Sequence, residues 1–90
     1  MIYLIEDGDY LKIGFTKDLE KVLTNFHRSN CHNKLIDWID GTVEDKKELH
    51  KLCLQYYYKR GWYHNTLEIK QLFQKYKDWY GIILNKQDHE

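Results

Sequence analysis

Two short runs of β-branched and aromatic residues open the chain, at residues 2–5 and 10–13, and the turn Asp7-Gly8-Asp9 separates them. An Asp-Gly dipeptide between two strand-like runs is a strong local signal for a β-hairpin. We therefore predict that the two runs are antiparallel neighbours. A third strand is predicted at residues 35–39, where Asp40-Gly41 ends another apolar run.

Apolar residues at helical spacing predict helices in the rest of the chain. The first helix covers residues 17–27, with Thr16 or Asp18 as its N-cap. Thr42 followed by Asp45 resembles a capping box and begins a second helix, which we predict to run to about residue 58. Gly61 breaks that helix, a short extended piece follows, and a final helix begins after residue 66. The predicted apolar faces comprise Leu19, Val22, Leu23 and Phe26 in the first helix, Val43, Leu49, Leu52, Cys53 and Tyr56 in the second, and Leu67, Leu72, Phe73, Tyr76, Tyr80 and Ile83 in the last, which Thr66 caps.

The order of these elements indicates a single α+β domain over residues 1–90, in which helices flank a three-stranded antiparallel sheet and a further helix ends the chain. Tyr, Trp and Phe make up 16% of the residues, so aromatic rings are expected to supply much of the buried area. The predicted core comprises Ile5, Ile13, Leu19, Leu23, Phe26, Ile36, Trp38, Leu49, Leu52 and Trp62.

The charge balance limits the classes of partner. The chain has 14 Lys and Arg against 14 Asp and Glu, so any contact with a polyanion must come from a local basic patch. Cys31 and Cys53 lie far apart without a CxxC pair, which disfavours a disulfide framework or a zinc site and favours free thiols. No apolar run reaches the length of a membrane span. We expect a soluble, intracellular protein without membrane contact.

Three motifs in this order resemble the GIY-YIG endonuclease superfamily, in its small phage and meiotically up-regulated-type subgroup. The resemblance spans about residues 2–73. It implies the fold predicted above and, in active members, metal-dependent cleavage of phosphodiester bonds. The motifs are Met1-Ile2-Tyr3 with Lys12-Ile13-Gly14 for the two paired strands, Glu48-Leu49-His50-Lys51 for the "LH" helix motif, and Arg60-Gly61-Trp62-Tyr63 for the "GEWF" ending.

The resemblance assigns roles to individual residues. Tyr3 takes the position of the first-strand tyrosine, Lys12 that of the second, and Gly14 that of a close-approach glycine. The arginine that steadies the phosphate falls on Val22, and the glutamate that holds the metal ion falls on Lys46. A valine cannot donate to a phosphate and a lysine repels a cation. We therefore predict that the fold is kept and that cleavage is impaired.

The site implied by the resemblance is one groove. Its lysines at positions 12 and 46 are expected to be exposed. An active enzyme would need Mg²⁺ or Mn²⁺ with Glu48 as ligand, and otherwise no cofactor is expected. Candidate catalytic residues are Tyr3, Tyr10, Lys12 and His50, and candidate nucleic-acid-binding residues are Lys12, Gly14, Lys17, Lys21 and Lys46.

Structural roles stay open for the same residues. Tyr3 can be a packing residue of the sheet, and His50 can be an interior histidine that bonds to a backbone carbonyl. The run at residues 56–60 mixes rings with cations, which fits contact with a nucleic-acid backbone or an ordinary helix end equally well.

Three functions remain open at this stage. The first is a nucleic-acid-binding protein that kept the nuclease fold and contacts DNA or RNA phosphates. The second is an active endonuclease that uses Tyr3, Lys12 and Glu48. The third is a structural or inhibitory protein that binds a protein partner through exposed aromatics such as Trp79 and Tyr80. A composition rich in Lys, Asn, Ile and Tyr is compatible with an AT-rich phage or viral genome, whose product would act inside the host cell.

Overall fold

The computed structural model describes the backbone of residues 1–29 and 33–88, and the side chains of residues 1–26, 28 and 33–82. It confirms an α+β fold that ends in a helix. A 3₁₀ turn at Leu54–Tyr56 leads into the fourth strand. In chain order the strands and helices are β1 (Ile2–Asp7), β2 (Tyr10–Phe15), α1 (Leu19–Ser29), β3 (Lys34–Ile39), α2 (Val43–Leu52), β4 (Tyr57–Lys59), β5 (Trp62–His64) and α3 (Leu67–Asp88).

The five strands form one antiparallel sheet in the order β3-β1-β2-β5-β4. The predicted first hairpin is confirmed, because β1 and β2 pair across Gly8 and Asp9. Gly8 has a φ of 57°, a left-handed value that glycine adopts without steric cost. The three predicted strands correspond to β1, β2 and β3, so the prediction of a three-stranded sheet was incomplete. The strands β5 and β4 extend the sheet beyond β2.

The second helix is shorter than predicted, and the chain after it forms two strands. It ends at Leu52, and β4 then pairs with β5. The two residues between these strands, Arg60 and Gly61, have φ values of 50° and 82°. Two positive φ angles are typical of a type I′ hairpin turn, which matches the twist of the strands that it joins. The prediction of a helix to about Tyr58 was wrong because this strand pairing overrides the local helical spacing.

Successive residues of a strand point to opposite faces of the sheet. Helices cover both of these faces. On one face Phe26 of α1 contacts the ring of Tyr3 edge to face and borders Ile5. On the other face α2 and α3 form the main core with the sheet. This core comprises Ile2, Leu4, Leu11, Ile13, Ile39, Leu49, Cys53, Tyr63, Ile69 and Phe73.

Four residues predicted in the core or on an apolar helix face are exposed: Trp38 by 44%, Val43 by 42%, Leu52 by 50% and Leu67 by 65%. Trp38 lies on the edge strand β3, where its ring packs beside the ammonium group of Lys77. Leu52 lies in the last turn of α2, and Leu67 lies in the first turn of α3. Ile83 lies outside the described side chains. Of the other predicted core residues, Ile5, Ile13 and Leu49 are buried, and Leu19, Leu23, Phe26, Ile36 and Trp62 are partly buried.

Side-chain caps begin the three helices where the sequence predicts them. Of the two candidates at α1, Asp18 is the cap, since its carboxylate accepts from the N–H of Lys21 at 3.1 Å. At α2 the Thr42 hydroxyl accepts from the N–H of Asp45, whose carboxylate accepts from the N–H of Thr42 at 2.8 Å, which confirms the capping box. The Thr66 hydroxyl caps α3 at 3.4 Å. The capping box of Thr42 and Asp45 marks the residue at which α2 begins.

Candidate functional site

A cleft of about 440 Å³ opens between α2 and the β4–β5 hairpin. Helix α2 supplies one wall, because positions 43, 46, 47, 50 and 51 follow the three- and four-residue spacing of one helix face. The lining residues are Ile13, Val43, Lys46, Lys47, His50, Lys51, Tyr57, Gly61 and Tyr63. We call this space the basic cleft, since its described lining contains three lysines and a histidine and no carboxylate.

A hydrogen bond anchors His50 at the wall of the basic cleft. Its Nδ1 and the hydroxyl of Tyr63 lie 2.5 Å apart, and the ring of Tyr57 contacts the imidazole edge to face. Burial, followed by the neighbouring Cys53 and Tyr57, raises the pKa of Tyr63 far above its ordinary value. The hydroxyl is therefore protonated at neutral pH and can donate a hydrogen bond to this ring nitrogen. The partner of His50 is therefore a tyrosine hydroxyl, whereas an interior histidine was expected to bond to a backbone carbonyl.

Lys12 starts from the opposite face of the sheet and reaches the β4–β5 turn beside the basic cleft. Its Nζ donates to the carbonyl of Arg60 at 3.4 Å and lies 5.3 Å from the centroid of the Trp62 ring. Burial, and then the positive charge of Lys46, lower the pKa of Lys12. The two ammonium groups are thus near enough to repel each other. Both side chains are partly buried, so the expectation that they are exposed was wrong.

Two candidate catalytic tyrosines lie away from the basic cleft. Tyr3 is 6% exposed on the α1 face, opposite Gly14, and burial raises its pKa. The close neighbour of Gly14 is this ring, because a Cβ atom added there would overlap it. Tyr10 lies further along the same strand pair, and its ring stacks on Tyr58 with centroids 4.8 Å apart. The single predicted groove is therefore divided between the two faces of the sheet.

The remaining candidate residues are exposed and lie outside the basic cleft. Lys17 precedes α1, and Lys21 lies in its first turn. Glu48 forms an ion pair with Lys51 at 3.8 Å. The position assigned to a metal-binding carboxylate holds Lys46, whose ammonium group cannot ligate Mg²⁺ or Mn²⁺, so the residues there do not fit such an ion. Within residues 1–29 and 33–88, no three His, Cys, Asp or Glu side chains gather as a metal-binding group.

The structure describes one of the two cysteines, Cys53. Cys53 is a buried free thiol in the main core, and burial raises its pKa to about 11. It is therefore a packing residue rather than a reactive one. Cys31 lies outside the described residues.

Part of the cleft lining was missed from the sequence. Lys47 and Lys51 recur one turn apart beside Lys46, which is a helical pattern that the sequence contains. Tyr57 and Tyr63 offered no such signal, because they meet only when β4 pairs with β5.

Comparisons with known proteins give no relative for this chain: family models, curated proteins and solved structures all yield no match. Among the helices of the described residues, none combines the length and apolar content that crossing a membrane requires. The basic cleft and its surroundings are therefore the basis for inferring function.

Proposed function

We propose that this chain is a nucleic-acid-binding protein with a GIY-YIG-type nuclease fold whose cleavage chemistry is impaired. The phosphates of DNA or RNA bind in the basic cleft. The observation that carries the proposal is its lining, in which the described residues supply cations and no carboxylate. Phosphodiester oxygens are the acceptors that such a set of donors attracts, through charge-assisted hydrogen bonds.

The electrostatics of Lys12 and Lys46 support anion binding. Within the described part of the chain, neither side chain forms an ion pair. The charge of Lys46 contributes to the lowered pKa of Lys12, so the two cations repel each other in the free protein. A phosphate between them would relieve this repulsion. Because the whole chain has no net charge, the attraction is local, and we expect weak binding.

Two further lysines of the basic cleft are available to a phosphate. Lys47 pairs with Glu44 at 3.9 Å, and Lys51 pairs with Glu48 at 3.8 Å. Both pairs are exposed to solvent, and such pairs contribute only about 0–1 kcal/mol each. A phosphate can therefore replace either carboxylate at little cost.

Salt-titrated fluorescence anisotropy with a labelled oligonucleotide tests the proposal. We expect affinity to fall steeply with salt, since each phosphate contact releases condensed counterions. Lys46→Glu should weaken binding and flatten the slope of log affinity against log salt by about 1. The control is Lys75→Glu, the same charge change at an exposed position of α3 that does not line the basic cleft. Equal losses in both variants, or no wild-type binding at low ionic strength, would contradict the proposal.

A plasmid-nicking assay separates the proposal from the active-nuclease alternative. We expect no cleavage with Mg²⁺ or Mn²⁺, because Val22 and Lys46 stand where the resemblance places an arginine and a glutamate. Val22→Arg combined with Lys46→Glu should create or raise cleavage, with each single variant as the control. Robust cutting by the wild type that is lost in Glu48→Ala would establish the alternative, with Glu48 as metal ligand.

Binding to a protein partner is the second candidate function, and exposed apolar side chains of α3 favour it. Tyr80, which was expected to be exposed, is partly buried against the main core. Trp79 is 51% exposed and Ile82 is 55% exposed, and their spacing of three residues places them on one side of the helix. Absence of nucleic-acid binding at every salt concentration would favour this function over the first.

A further inference from the structure

Four rings cluster on the part of the sheet formed by β2, β5 and β4. Tyr10 and Tyr58 are stacked, with centroids 4.8 Å apart and planes inclined by 25°. His64 lies against both, at 5.8 Å from Tyr10 and 5.5 Å from Tyr58. A hollow of about 180 Å³ extends from this pair to Trp62. We call Tyr10, Tyr58, Trp62 and His64 the ring surface. It lies outside the basic cleft.

Cations accompany the rings of the ring surface. Lys59 lies 5.0 Å from the Tyr58 centroid, and Lys12 lies 5.3 Å from the Trp62 centroid. Tyr58 is 44% exposed, so the stacked pair can be reached from solvent. Asp7 also lines the hollow. An apolar partner surface would have to desolvate these charges, whereas a ligand with flat aromatic groups and negative linkers complements the rings and the two ammonium groups.

The turn between β4 and β5 holds a third cation in an unfavourable backbone conformation. Arg60 has a φ of 50°, where a side chain other than Asn, Asp or Gly is uncommon. Asparagine would suit the same turn better. Strained residues cluster at binding sites, and an arginine here places a guanidinium at the tip of the hairpin that carries the ring surface. The identity of this residue is thus explained better by binding than by folding.

We infer that the ring surface binds unpaired bases of a single-stranded nucleic acid by stacking, while Lys12, Lys59 and Arg60 contact the flanking phosphates. This inference rests on the proposed function and narrows its ligand to single strands. In a duplex the faces of the bases are occupied by their neighbours, so exposed rings have nothing to stack on. The β4–β5 hairpin borders both the ring surface and the basic cleft, so one strand can contact both.

The experiment compares three labelled ligands of equal length by fluorescence anisotropy: a single-stranded oligonucleotide, its duplex, and an abasic oligomer that keeps the phosphates and lacks the bases. We expect the wild type to prefer the single strand over the abasic oligomer by at least fivefold, since each stacked base contributes about 5- to 150-fold. Tyr58→Ala should remove most of that preference and leave abasic binding unchanged. Trp79→Ala, an exposed ring on α3, is the matched control and should change neither.

A second variant tests the inference with a substitution that should not destabilise the fold. Arg60→Asn should raise the thermal midpoint, because asparagine tolerates positive φ, while it flattens the salt slope by about 0.7, the loss of one single-strand phosphate contact. Equal wild-type affinity for the single strand and the abasic oligomer would overturn the inference and leave the proposed function standing. An unchanged preference in Tyr58→Ala would also overturn it. No binding of any ligand would overturn both.

Discussion

At the residue scale, the contact between Tyr3 and Gly14 connects the first two strands on the α1 face. The two residues are cross-strand partners, and the Tyr3 ring occupies the space that a side chain at position 14 would need. Tyr3 is buried beside Phe26, so its ring has little room to move aside. The glycine is therefore required by packing within the chain, independently of any ligand.

Gly14→Ala is expected to destabilise the protein by about 1–3 kcal/mol, since overpacking a buried contact forces side chains and backbone to shift. Urea denaturation measures the change. Gly81→Ala is the control, because a Cβ atom there meets nothing within 4 Å, and alanine should stabilise α3 by about 0.8–1 kcal/mol. Gly14→Ala with Tyr3→Leu should cost less than the sum of the single variants. Additive costs would show that the ring is not the obstacle.

At the element scale, α2 joins the core to the basic cleft. Leu49 faces the core, Lys46 and His50 face the cleft, and Asp45 accepts a hydrogen bond from the Tyr76 hydroxyl of α3 at 2.7 Å. The same carboxylate completes the capping box at the start of the helix. One side chain thus fixes both the beginning of α2 and its rotation relative to α3, and with them the direction of the cleft lysines.

Asp45→Ala should therefore destabilise the fold by about 1–2 kcal/mol at neutral pH. Burial favours the neutral acid, but hydrogen bonds from the Thr42 backbone, the Tyr76 hydroxyl and the Thr42 hydroxyl outweigh it and lower the Asp45 pKa below its ordinary value of 3.8. A lowered pKa stabilises the fold above the unfolded value, and this contribution is lost as pH falls through the folded value. Denaturation at pH 7 and at pH 3 should show the penalty shrinking in acid. A penalty independent of pH would contradict this account.

At the scale of the whole molecule, α3 closes the core that the sheet and α2 leave open. Ile69 and Phe73 are buried among residues of the sheet and of α2. An ion pair of 2.8 Å between Lys70 and Glu6 and one of 2.7 Å between Lys77 and Asp37 fasten the helix to β1 and β3. The last helix is therefore part of the single core rather than an appendage.

Phe73→Ala should lower the free energy of unfolding by about 3–5 kcal/mol, because it removes a buried ring and leaves a cavity. For a domain whose total stability is about 5–15 kcal/mol, this loss is a large fraction. Leu67→Ala, at an exposed position in the same helix, is the control and should change stability by less than about 0.5 kcal/mol. Chemical denaturation with one probe of α3 and one of the sheet checks both values. Separate transitions for the two probes would contradict a single core.

The sequence by itself determined the features that depend on near neighbours. The Gly8 hairpin and the three helix starts follow from residues within a few positions of each other, so turn geometry and capping predict them. Lys46 and His50 were singled out through the family resemblance, and they line the same cleft.

The tertiary structure alone decided the rest, for the physical reason that it depends on contacts between distant segments. Tyr10 pairs with His64 of β5, a segment predicted as extended, and β5 pairs in turn with β4, where the end of the second helix was predicted. Strand register places Lys12 and Tyr10 on the α1 face of the sheet. His50 lies on the other side because α2 packs on that face. The register also depends on helices that cover both faces of the sheet. These contacts join segments far apart in the sequence, so a local sequence pattern does not predict them.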